Sequence, residues 1–261
     1  MKYWLYLQKI QRYTLGYLTV HLEYRFELFF WLLGQLWPLF WMALWREAAA
    51  RDALLGEPGA YTRYFVYAWL AASLNTAWSA NLLSTAIRQG YLSYQLLRPF
   101  PPVLEALSEH FGAILAQLPL MAPLLLAAFL LLPELRSPPP LFPYLALIAG
   151  YFAFEFTLGW LIGILAFWFE KSENLYAPYA ALRVFFGGLA LPLVALPEGL
   201  RSLLLYTPLP YAAYAPGSLA AGWPVTVGRG MGVLFLWTLA LGLLAAGLWR
   251  RGLRRYGAVG G

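Results

Sequence analysis

Long apolar runs separated by short polar tips set the pattern of this chain. Residues 23–45, 64–87, 111–132, 141–169, 176–196 and 231–248 are each largely apolar and close to the length that crosses a bilayer, about 20 residues. Pro38 predicts a kink in the first run, and Pro119 and Pro123 interrupt the third. Residues 1–20 follow a different rhythm. Tyr3, Trp4, Leu7, Ile10, Leu15 and Leu18 recur at roughly helical spacing with Lys2, Lys9 and Arg12 between them, which predicts an amphipathic helix in the membrane interface. The scattered charges and the missing cleavage site argue against a signal peptide. Residues 197–229 are apolar but broken by Pro208, Pro210, Pro216, Gly217, Gly222 and Pro224, so no piece is long enough to cross. The predicted fold is an all-α integral membrane protein, a single transmembrane domain over 1–261. It has six transmembrane helices, an N-terminal interfacial helix and short re-entrant helices before the last span.

Composition strengthens this picture. Only 11% of the residues are charged and 61% are hydrophobic, against about 25% charged in soluble domains. Aromatic residues reach 18%, including 12 Trp, which suits belts at headgroup depth. The net charge of +6 reads as loop bias beside spans rather than as a nucleic-acid surface. Six spans put both termini on one side. That side takes Lys2, Lys9, Arg12, Arg25, Arg88, Arg98, Lys171, Arg183, Arg250, Arg251, Arg254 and Arg255, and the other takes Arg46, Arg51, Arg63, Arg136, Arg201 and Arg229. The excess places both termini in the cytoplasm.

Little catalytic chemistry is on offer. The chain has no cysteine, hence no disulfide, thiol nucleophile or Cys-ligated metal. His21 and His110 are the only imidazoles, and no metal site is expected. No G-x-x-x-x-G-K-[ST] loop, G-x-S-x-G elbow or H-E-x-x-H helix occurs, so the chain is not read as an enzyme and binds no nucleotide itself. Glu155 is the one acid deep in a span, and such acids are costly and suggest function. It either binds a cation or carries a proton, or it is a neutral acid making one interhelix hydrogen bond. Asn75, Trp78, Ser79, Phe154 and Glu155 are the candidate lining of a substrate path, with ordinary polar packing between helices as the competing account. Gly159 and Gly163 form a small-xxx-small pair for close helix approach. The Glu23-Arg25-Glu27 cluster is expected to pair across its elbow, with Arg98 or Arg183 as partner.

Between the second and third runs stands a short basic segment, Ile87-Arg88-Gln89-Gly90 leading to Leu96-Leu97-Arg98-Pro99. Gly90 permits a tight turn, Pro99 sets a boundary, and Leu92 and Leu96 fall four apart on one helical face. With the tail Arg251-Gly252-Leu253-Arg254-Arg255-Tyr256-Gly257-Ala258, this segment resembles the permease subunits of type-2 ABC exporters, closest to the six-span bacterial permeases grouped with antibiotic or multidrug export. The resemblance implies a bacterial plasma-membrane protein working as a dimer of identical or paralogous permeases in lipid. Each permease docks a separate ABC ATPase that holds ATP and Mg, and no nucleic acid is involved. Carried onto this chain, residues 87–99 are the ATPase-coupling segment. Leu92 and Leu96 are expected to face the ATPase, with Ile87, Gln89, Gly90, Leu97 and Pro99 shaping the segment. Arg88 and Arg98 are expected to meet acidic groups or lipid phosphates. The alternative is an ion-coupled secondary carrier using Glu155. A lipid-acting enzyme is a weaker reading, because no His/Asp/Glu cluster converges.

Overall fold

The computed structural model describes residues 2–34, 36–75 and 79–256. Those residues form helices and loops with no strand. In chain order the helices are α1 (Lys2–Glu23), α2 (Arg25–Gly34), α3 (Pro38–Arg51), α4 (Pro58–Ser73), α5 (Ser79–Arg88), α6 (Leu92–Leu97), α7 (Pro102–Leu131), α8 (Leu141–Ile164), α9 (Tyr176–Phe186), α10 (Glu198–Leu204), α11 (Tyr214–Ala221) and α12 (Val227–Arg255).

Three helices are long and apolar enough to cross a membrane: α7, α8 with the short turn that extends it to Phe167, and α12. The other three expected spans are not continuous helices. Residues 23–45 divide into α2 and α3, because Pro38 does not kink a helix but begins a new one. Proline has no N–H to give a preceding turn and suits the first helical position. Residues 64–87 divide into α4 and α5. Asn75 stands at the end of α4, and its amide nitrogen donates to the carbonyl of Ala71 at 2.8 Å, a local bond that competes with helix continuation. The run 176–196 is α-helical only to Phe186, with one further 3-10 turn at Leu193–Ala195. Gly188 then takes a left-handed conformation (φ +94°) and its carbonyl accepts the Tyr64 hydroxyl at 2.7 Å.

The reverse holds in α7, where Pro119 and Pro123 do not interrupt the helix. It also starts at Pro102, well before the expected 111, because its polar first turns are covered by α1. Thr14, Tyr17 and Leu18 lie against Gly112 so closely that a Cβ there would sit 2.8 Å from the Tyr17 Cβ. The expected interfacial helix therefore packs along α7 while exposing Trp4, Leu7 and Leu15.

Two apolar cores lie at opposite ends of the bundle. The larger joins α4, α8, α11 and the turn at 211–213 around Tyr64, Phe65, Leu147, Tyr151 and Tyr211. Gly217 lets α11 press on the Tyr64 carbonyl. The smaller joins α5, α6, α8 and α12 through Leu83, Ile87, Leu92, Leu161, Ile164 and Ala245. There Gly163 brings α8 against Leu83, as the small-residue pair predicts, and Gly159 is buried on the same helix. α8 packs along α12, so these helices link the two ends.

Candidate functional site

The segment 87–99 forms a compact tip. α5 ends at Arg88, Gly90 turns the chain in the left-handed region (φ +81°), and α6 follows over six residues. The turn folds the start of α6 back over the end of α5. Leu92 is thereby fully buried (0% exposed) against Ile87, Leu83 and Ile164. This corrects the expected contact face: Leu92 anchors the tip from inside and is not available to a partner. Ile87 is buried as well. The outward surface is instead Tyr91, Tyr94 (67% exposed), Leu96 and Leu97 (84% exposed), flanked by the exposed Gln89 and Pro99.

Polar contacts hold this tip on every side. Arg88 Nη1 lies 2.7 Å from Glu173 and 3.1 Å from the Glu170 carbonyl, and the Ser84 hydroxyl donates to the same Glu173. Burial alone would push the Glu173 carboxyl up. The hydrogen bonds from Arg88 and Ser84 outweigh it and hold the group below the usual glutamate value. Arg98 reaches Glu105 at 3.4 Å, and Lys9 donates to the Pro99 carbonyl at 2.7 Å. Tyr13 stacks on Phe100 with ring centroids 4.6 Å apart, and Ser93 shares a hydrogen bond with the Tyr256 hydroxyl at 3.2 Å. Arg88 and Arg98, expected to reach outside groups, pair with acids of this chain. Among the described side chains, the ion pairs of Arg98 and Arg183 are with Glu105 and Glu155, and none joins either arginine to Glu23 or Glu27.

Glu155 lies about halfway along α8 and is 1% exposed. One oxygen accepts from the Tyr176 hydroxyl at 2.5 Å and from Arg183 at 3.0 Å. The other accepts from Tyr179 at 2.6 Å, whose oxygen lies 2.5 Å from that of Tyr151. Arg183 Nη1 also donates to the Asn75 carbonyl at 2.8 Å. The network joins α8 to α9 and covers the backbone group freed where α4 ends. Its members Tyr176, Tyr179 and Arg183 follow one face of α9, a spacing legible in the sequence but not read from it. Arg183 belongs inside α9 rather than in a cytoplasmic turn; removing it from the charge comparison leaves the bias in the same direction.

The remaining proposed path residues are packed. Asn75 and Phe154 are buried, and buried Ser79 donates to the Phe156 carbonyl at 3.4 Å. Trp78 lies outside the described residues. With Arg183 already beside it, Glu155 offers no open carboxylate for an ion, and the carrier reading gains no support.

Three apolar helices of spanning length mark a membrane-embedded protein. A family model described as "ABC-2 family transporter protein" matches residues 60–260, and the chain belongs to that family. Membership makes it an ABC transporter permease with no ATPase site of its own, and implies a partner ATPase. No curated protein and no solved structure matches the chain.

Proposed function

We propose that this chain is the permease subunit of an ATP-driven exporter of the antibiotic or multidrug group, docked on a separate ATPase through residues 87–99. Two permeases, identical or paralogous, enclose the path in a bacterial plasma membrane. Each makes six crossings, three of them through the broken pairs and the short α9, with both termini and the tip in the cytoplasm.

The observation that carries this reading is the tip itself. Tyr91, Tyr94, Leu96 and Leu97 are large, apolar and exposed, while the base beneath them is fixed by Leu92, Arg88 and Lys9. An apolar surface that is cheap to desolvate and already ordered is what a soluble partner needs in order to bind without a large ordering cost. Movement of the docked ATPase would pass from the tip into α8 and α12, which pack on the same core. Nucleotide acts on the partner, and it shifts the permease only through different affinities for its two states.

The test is co-purification with the cognate ATPase. Tyr94→Asp and Leu97→Asp should each abolish capture and ATP-driven export while the permease still reaches the membrane. Undiminished capture and export in the double variant would overturn the assignment of the tip.

A further inference from the structure

The end of the bundle remote from the tip holds a second site of different chemistry. α12 has 29 residues and spans about 43 Å at 1.5 Å per residue. Its last turn leads to Tyr256, the hydrogen-bond partner of Ser93 in the tip. Its first turn carries Arg229 at the opposite end. There Arg229 and Arg201 of α10 line one cavity of about 240 Å³. Gly230 makes this closeness possible: a Cβ at that position would fall 2.5 Å from the Tyr211 ring, which is another wall of the cavity.

The lining is cationic and rich in donors, with no carboxylate in it. Ser202 and Thr226 add hydroxyls, and Val194 and Leu205 add apolar wall. Among the described residues, the ion pairs engage Arg46, Arg51, Arg63, Arg88, Arg98 and Arg183, and neither Arg201 nor Arg229. Arg229 lies 5.9 Å from the centroid of the Tyr206 ring, a contact that leaves its charge uncompensated. A guanidinium stays charged in any protein setting. Two of them lining one small, partly open cavity repel each other, and an anion between them removes that cost. The planar forks fit phosphate oxygens two at a time.

We infer that Arg201 and Arg229 bind the phosphate group of a phosphate-bearing amphiphile, with its apolar part along Val194 and Leu205. The binding chemistry stands on the cavity alone; placing it at the outer end of an export path rests on the function proposed above. The phosphate can come from a membrane phospholipid or from the cargo.

The experiment uses the full chain in phospholipid-free dodecyl maltoside micelles, with hexyl phosphate titrated by calorimetry and hexanol as the uncharged control. Saturable binding of hexyl phosphate and none of hexanol is expected. Arg201→Gln or Arg229→Gln should weaken it about tenfold or more, the scale of one charged hydrogen bond, and the double variant should abolish it. Ser202→Trp, at the exposed rim, should block binding with both arginines kept, which covers the case of a misfolded arginine variant. Competition by added phosphatidylglycerol assigns the site to lipid, and unchanged affinity assigns it to cargo. No saturable binding by the wild type, or full binding by both the double arginine variant and the rim variant, overturns the proposal. Because no ATPase is present, this result is independent of whether the tip docks one.

Discussion

The carboxylate of Glu155 and the guanidinium of Arg183 meet at 3.0 Å inside the protein, one on α8 and the other on α9. The same arginine nitrogen holds the carbonyl of Asn75, so one side chain ties two helices to the break after α4. Removing one member of a buried pair strands the other and costs about 3–5 kcal/mol. Glu155→Gln and Arg183→Met should each lower the thermal unfolding temperature of the detergent-solubilised protein sharply. The double variant should recover much of the loss. Additive losses in the double variant would show that the two residues act separately.

Leu92 and Leu97 sit five positions apart but belong to different environments. Leu92→Ala removes a fully buried side chain, with a cost of about 2–5 kcal/mol. Leu97→Ala lies at the surface, where changes stay within about 0.5 kcal/mol. Unfolding midpoints should therefore fall for the first and hold for the second, while ATPase capture should fall for the second even in fully folded protein.

The clamp between Arg88 and Glu173 carries a pH signature. The folded-state value of Glu173 is lowered, so its contribution is present above the ordinary glutamate pKa of about 4.3. It is lost only as pH falls through the lower folded value. The protection factor of residues 84–98 in hydrogen–deuterium exchange, corrected for the intrinsic pH dependence of amide exchange, should stay flat from about pH 7 to 5 and fall in stronger acid. In Arg88→Gln, exchange over the same residues should be raised already at neutral pH. Equal protection in the variant and the wild type would argue that the clamp does not hold the tip.

At Gly112, α7 lies directly against the N-terminal helix. A leucine there meets the Tyr17 Cβ and the Thr14 and Leu18 backbone, and overpacking of this kind costs about 1–3 kcal/mol. Limited proteolysis should cut α1 faster in Gly112→Leu than in the wild type. Gly242→Ala, where the nearest atom is 4.0 Å away, should behave as the wild type does.

Much of this architecture was legible in the residue order, and the gaps have physical causes. Gly90 and Pro99 mark the tip because each imposes a local backbone geometry that no distant contact has to supply. The start of α7 was hidden because the polar Glu105, Glu109 and His110 precede the apolar run that begins at 111. All three are buried: from α1, Tyr17 donates to Glu105 and His21 lies 3.3 Å from Glu109, while His110 packs against Phe152 of α8 with ring centroids 4.8 Å apart. Periodicity placed Leu92 and Leu96 together, but the Gly90 turn tucks only the first turn of α6 inward. Arg183 was misplaced for a similar reason: charge suggests an aqueous turn unless its partner, here Glu155 on another helix, is known. The pocket around Arg201 and Arg229 draws on α10 and on α12 after a run of prolines, and neither position signals the other.

The tip is braced by Lys9 near one end of the chain and by Tyr256 near the other. During synthesis the first brace becomes available early, and the second only after α12 has been made. A ribosome-bound or truncated chain therefore presents residues 87–99 before that second brace exists. Order of translation thus completes the bracing of residues 87–99 only once the last helix has joined the bundle.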